Sequence, residues 1–185
     1  ALSKYLGEKA TFHWKKVYGL PVNSIRIFNA YGKRVRTTGA YGAVIGVFFK
    51  QKIENRPLTI VGNGKQTRDF VYVTDVAKAF LAAAKTNISG KIYNVGTGKP
   101  QTINSLSNLV GGKKIFIPDR PGEPKHSFAS IKKINTELKW KPEIKFKDGI
   151  NIMLKDIQKW KDAPLWTPKT IKSATKTWFK FLSTK

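Results

Sequence analysis

The chain has 185 residues, 41% hydrophobic and 25% charged, the composition of a soluble globular protein with room for one core and part of another. It has no cysteine, which excludes a disulfide framework and any Cys-based metal site, and its two histidines, His13 and His126, stand far apart, so no metal site is expected. No apolar run approaches the ~20 residues that span a bilayer, and the start lacks a signal peptide's apolar segment, so no membrane is expected and the location expected is cytoplasmic. The formal net charge is +24, which fits nucleic acid, a small dianionic substrate, or lysines decorating solvated faces. Arginine occurs only at positions 26, 34, 36, 56, 68 and 120, the lysines spread from Lys4 to Lys185 without a dense block, and no zinc-finger, RNA-recognition or basic-heptad signature appears. That distribution disfavours nucleic acid.

Residues 2–18 place Leu2, Leu6, Ala10 and Trp14 at helical spacing, and Gly19 before Pro21 supplies a stop. Val22 to Phe28 reads as a short strand ending in an Asn-Ala-Tyr-Gly turn. Tyr41 to Ile53 suits a buried helix, Leu58 to Val61 a strand, Gly62-Asn63-Gly64 a turn, and Phe70 to Val73 a second strand. Thr74 or Asp75 is placed to cap the next helix, through Val76, Ala79, Phe80 and Ala83. Lys91 to Val95 is a strand, Thr102 the N-cap of a helix from Ile103 to Val110, and Lys114 to Ile117 a closing strand. Pro118, Pro121, Gly122 and Pro124 make the following stretch a loop. Ser130 opens a helix to about Leu138, Asp148 caps one reaching about Trp160, and Thr167-Pro168 starts a last helix. Trp160, Trp166, Trp178, Phe179 and Phe181 read as packing anchors of this helical tail. Alternating helices and strands give an α/β fold.

Four segments carry the chemistry. The opening Ala-Leu-Ser-Lys, ending at Lys4, reads like the end of a Tyr-x-x-x-Lys motif whose tyrosine precedes Ala1. In such a motif the two side chains are neighbours on one helical face, and the ammonium favours tyrosinate, a base near neutral pH. Arg26-Ile27-Phe28-Asn29-Ala30-Tyr31-Gly32 closes a strand with a turn, at the carboxyl end where open α/β sheets bind ligands. Leu58 to Val73 holds a backbone run, Thr59 to Val61, able to pair with a pyrimidine edge, and Arg68, whose planar fork suits a diphosphate. Asp119-Arg120-Pro121-Gly122-Glu123 brings a second arginine on a separate loop. The first three also have an ordinary reading: surface lysine, turn geometry, and an ion pair of Arg68 with Asp69 or Glu54. The turn Asn94 to Gly98 lacks the spacing of a phosphate-binding glycine loop.

In this order the segments resemble the extended short-chain dehydrogenase/reductase family, specifically its NAD-dependent nucleotide-sugar epimerases and dehydratases of the UDP-glucose 4-epimerase type. The resemblance implies the carboxyl-terminal portion of such an enzyme: residues 1–35 the last helix and strand of a Rossmann-type, doubly wound NAD(P)-binding domain, and residues 36–185 a small mixed α/β nucleotide-sugar-binding domain with a helical tail. It implies that Lys4 is catalytic and contacts the cofactor, NAD with NADP left open, and that Ile27 and Phe28 border the nicotinamide. It implies that Asn29, Thr59, Val61, Arg68, Arg120 and Glu123 bind a nucleoside-diphosphate sugar. Two departures are present: Gly32 is followed by Lys33-Arg34 where the family has Pro-Arg, and Glu123 stands where it has aspartate. The implied chemistry passes through a 4-keto sugar, by epimerisation or 4,6-dehydration, in a homodimer. Without a glycine-rich turn and the tyrosine, the chain by itself is expected to bind and not to turn over. The competing class is a basic binding module without catalysis, taking nucleic acid or an acidic partner.

Overall fold

The computed structural model describes residues 2–35 and 44–182, apart from the side chains of Trp178 and Leu182. In chain order the elements are α1 (Leu2–Tyr18), β1 (Ser24–Ile27), β2 (Asn29–Tyr31), α2 (Val44–Ile53), β3 (Leu58–Val61), β4 (Thr67–Arg68), β5 (Phe70–Tyr72) and α3 (Val73–Lys85). Then come β6 (Ile92–Val95), β7 (Gln101–Thr102), α4 (Ile103–Val110), β8 (Lys114–Ile117), α5 (Lys132–Leu138), α6 (Phe146–Lys155), a 3₁₀ turn (Ile157–Trp160) and α7 (Pro168–Leu182). Three strand pairs are parallel, β1 with β6, β2 with β5 and β3 with β8, while β4 and β7 pair antiparallel. Parallel pairs with helices between them make this an α/β fold.

Gly19 ends α1 at φ +68°, its N–H donating to Lys15 O at 2.9 Å, a conformation that costs glycine least. The expected turn at Asn29-Ala30-Tyr31 is instead extended chain. Phe28 N still donates to Val95 O, but Asn29 N donates to Asp69 O, so the strand changes partner between these two residues. Backbone donors at that crossing find a second parallel partner, which overrides the turn preference of Asn-Ala-Tyr-Gly.

Elsewhere the structure moves boundaries. The helix expected from Tyr41 is described from Val44, residues 41–43 lying outside the described chain. Val73 opens α3 rather than closing β5, and neither Thr74 nor Asp75 is its N-cap. The Asp75 carboxylate is buried and accepts from Glu143 N (3.1 Å) and Ile144 N (3.0 Å), pinning that loop to α3. Ser130 precedes α5, which starts at Lys132, and Asp148 lies inside the first turn of α6, which yields to the 3₁₀ turn before Trp160. Thr102 does cap α4, its Oγ1 accepting from Ser105 N at 2.9 Å. The two-residue strands β4 and β7 were not expected, being too short to show a period of two.

Period-2 alternation on β5 divides the interior. Phe70 and Tyr72 join Tyr31, Phe48, Phe49, Leu58, Ile60, Leu106, Ile150 and Met153 in one cluster, whereas Val71 joins Val76, Ala79, Tyr93, Val95, Ile134 and Trp140 in another. Asp69, at the edge of β5, is fully buried and receives Thr97 N and Oγ1 (both 2.6 Å), Gly98 N (3.0 Å) and Ala129 N (3.0 Å). A carboxylate saturated by four donors is a brace, and it fixes the Asn94–Gly98 turn as structure. Both clusters therefore support a rigid platform from which β2, β3 and β4 present their ends.

Candidate functional site: a cleft between a strand edge and two arginines

A cleft of about 910 Å³ opens between β3, β4, the loop after β8, and α7. It is lined by Asn29, Thr59, Val61, Arg68, Arg120 and Glu123, which come from four separate stretches of sequence. The volume falls within the ~300–1,000 Å³ typical of small-molecule sites.

One end is a strand edge. Leu58 N and Gly62 N donate to Lys113 O and Ile117 O, so Leu58, Ile60 and Gly62 face β8 and the groups of Thr59 and Val61 point the other way. Two glutamines occupy the outer members of that edge. Gln51 Oε1 accepts from Thr59 N (3.1 Å), and Gln66 Nε2 donates to Val61 O (2.9 Å). The Thr59 carbonyl and the Val61 N–H stand between them as an adjacent acceptor and donor. Gln51 is fully buried; its Nε2 also donates to Thr59 Oγ1 (2.8 Å) and to Trp166 O (2.7 Å).

The other end is cationic. Arg68 donates from Nη1 to Thr67 O (2.8 Å) and from Nη2 to Glu123 Oε1 (2.7 Å), and Arg120 Nη1 lies 3.9 Å from Glu123 Oε2. Two guanidiniums thus face one carboxylate, leaving a net positive charge in a cleft where screening is weak. Neither Asp69 nor Glu54 takes Arg68: Asp69 is saturated by the brace above, and Glu54 pairs with Lys50. Arg120 Nε and Glu123 Oε2 are buried without a hydrogen-bond partner. Gly62 lets the two loops meet. It sits at φ +58°, and a Cβ there would lie 2.0 Å from Asp119 Oδ1.

Asn29 is exposed where the chain changes partners, on the cleft side. Lys4, Ile27 and Phe28 lie outside the cleft: Lys4 is exposed on α1, Ile27 is 42% exposed at the end of β1, and Phe28 is half-buried. Tyr31 is packed edge-on to Phe70 and Tyr72, and burial pushes its phenol above the usual range, so it is not a base near neutral pH. Among the described residues no group of three or more His, Asp or Glu is placed to hold a metal, and no helix is long and apolar enough to cross a membrane.

The sequence reading missed three contributors. Gln51 interrupts the apolar stretch of α2, a polar residue at a buried helical position being the available signal. Gln66 lies inside the Leu58 to Val73 segment, where no local pattern marks it out. The third is the tail: Trp160 is a core anchor as expected, but Trp166, Ile171, Thr175 and Phe181 line the cleft, and Phe181 is 68% exposed. The Trp178 side chain lies outside the described residues.

Residues 1–96 match the NAD dependent epimerase/dehydratase family. A candidate UDP-glucose 4-epimerase of Methanocaldococcus jannaschii is 41% identical over 155 residues, 80% of this chain and 50% of the relative. The UDP-glucose 4-epimerase of Thermotoga maritima, solved with UDP-glucose, superposes with a TM-score of 0.80 at 27% identity, over 85% of this chain and 52% of that one. The UDP-glucuronic acid 4-epimerase of Bacillus cereus, solved with UDP-glucuronic acid and NAD, gives 0.77 at 32% identity over the same shares. The chain spans about half the length of each relative named here.

Proposed function

We propose, from the premise that this chain belongs to the NAD dependent epimerase/dehydratase family, that it forms the nucleotide-sugar-binding part of an enzyme that epimerises a UDP-sugar at C4. One observation carries the reading: a strand edge with an open acceptor and donor and a pair of arginines line one cleft. The Thr59 carbonyl and Val61 N–H match the donor and acceptor on a uracil edge, and the glutamines on either side leave that pair as the open one. Arg68 and Arg120 take the diphosphate, whose oxygens suit the planar guanidinium fork. Glu123 Oε2, an acceptor with no hydrogen-bond partner, takes a ribose hydroxyl, and Asn29 binds the diphosphate or the sugar.

NAD supplies the hydride acceptor of this chemistry when bound. Ile27, exposed at the carboxyl end of a parallel strand, and Phe28 beside it offer it an apolar border, and Lys4 an exposed ammonium. Residues 1–35 thereby belong with a cofactor-binding domain and residues 36–185 with the substrate domain. The relatives' names support epimerisation over dehydration, and the whole protein is proposed to pair as a homodimer through α1.

Calorimetric titration with UDP tests the site. Arg68→Ala and Arg120→Ala are each expected to weaken binding about 10-fold or more, since a hydrogen bond to a charged group contributes ~1.5–3 kcal/mol. Unchanged affinity in both variants would remove the diphosphate assignment.

A further inference from the structure

The tail is the part of the cleft to which the reading above gives no role. We propose that the segment from Trp166 through α7 is the nucleoside-end wall of the site, with the Trp166 indole N–H donating to the nucleoside of a bound pyrimidine nucleoside diphosphate; this rests on the nucleotide reading.

Position comes first. Gln51 Nε2 donates both to Thr59 Oγ1 and to Trp166 O, so one buried amide joins the base-reading edge to the tail and holds the Trp166 backbone close to Thr59. Ile171 and Thr175 are buried, and packing of that face seats α7 against the cleft. The tail's lead-in is tied a second time, by Lys50 Nζ to Lys161 O.

Chemistry comes second. Among the described residues the buried side-chain polar atoms without a hydrogen-bond partner are Asp75 Oδ1, Arg120 Nε, Glu123 Oε2 and Trp166 Nε1. Three of these belong to cleft-lining residues. Two belong to the arginine-bearing loop, and the Trp166 donor belongs to the tail, whose backbone is tied to Thr59 through Gln51. A buried donor without an acceptor is unfavourable, so a ligand that supplies a carbonyl or hydroxyl oxygen gains what the empty site lacks. Indole also provides a flat apolar surface beside that donor, the combination a nucleoside needs.

Size comes third. The cleft keeps about 910 Å³ with α7 in place, so the helix bounds the site rather than filling it. A plug would have to leave before ligand entered; a wall stays.

The experiment titrates UDP and inorganic pyrophosphate separately into the chain and into Trp166→Phe, which keeps an aromatic ring and removes the N–H. Loss of one neutral hydrogen bond predicts UDP binding weakened about 3- to 10-fold, with pyrophosphate, which has no nucleoside, changed less than about 2-fold. UDP is also expected to alter the indole fluorescence of the parent by more than that of the variant, which lacks the Trp166 indole. Equal weakening of UDP and pyrophosphate would mean a merely structural role and overturns the proposal, as does unchanged UDP affinity. A parent chain that binds neither ligand overturns the nucleotide reading and this proposal with it; one that binds both while Trp166→Phe changes nothing overturns this proposal alone.

Discussion

The helices α1 and α2 have opposite fates in the same chain. Over its 17 residues α1 buries none, and Leu2, Leu6, Trp14 and Val17 are all more than half exposed. Over its 10 residues α2 buries Ile45, Gly46, Phe48, Phe49, Lys50 and Gln51, against β3, α4 and the 3₁₀ turn. What holds α1 is polar: Glu8 takes Ser24 Oγ at 2.9 Å and Arg26 through two nitrogens at 2.7 and 2.9 Å, and Lys15 reaches Ser89. An apolar stripe therefore announces that a face is suited to covering, not that this stretch of chain covers it. Attachment by charge and attachment by packing respond to different perturbations, and this separates the two regions experimentally.

The largest expected effect is on the packed side. Phe48→Ala removes a fully buried ring and is expected to cost about 3–5 kcal/mol in urea denaturation. Asp69→Asn comes next, at roughly 2–3 kcal/mol, because an amide cannot accept as many bonds as the carboxylate that braces Thr97, Gly98 and Ala129. Leu6→Ala, on the bare face of α1, is expected to fall within about 0.5 kcal/mol of the parent. A Leu6→Ala cost rivalling that of Phe48→Ala would break the comparison. The smallest effect is an acid titration. Hydrogen bonds from Arg26 hold the Glu8 carboxyl down at about 2 against an ordinary 4.5. A lowered folded-state value means that its contribution is complete above about pH 4.5 and disappears as the pH falls toward 2. Subtracting a Glu8→Gln variant's stability-against-pH curve isolates it, and a difference that persists unchanged to pH 2 would contradict the assignment.

How far the sequence could be read follows the same division. Elements with a regular apolar period, α1, β3, β6, α4 and β8, lie close to where periodicity puts them, since local pattern and tertiary packing agree there. Residues 29–31 were misread because turn propensity is local, whereas the second partner that makes them a strand, Phe70–Tyr72, is distant in sequence. The residues that the motifs proposed for substrate binding line one cleft, because those motifs are contiguous and chemically specific. Gln51, Gln66 and Trp166 escaped because nothing in the order of residues says that an amide on α2 will meet a carbonyl of the tail; that contact exists only after the chain is folded.

The parallel pairing has a kinetic consequence. Ser24 pairs with Ile92, Asn29 with Phe70 and Leu58 with Lys114, so no parallel pair closes before a long intervening segment has been drawn in. Loop closure must precede the contacts that reward it, and for such topologies refolding is expected over milliseconds to seconds rather than microseconds. The early, local structure is then helical, and the cleft, whose walls come from both ends of these closures, is among the last features to form. In stopped-flow refolding, recovery of the proposed nucleotide binding is expected to lag behind recovery of the far-UV signal.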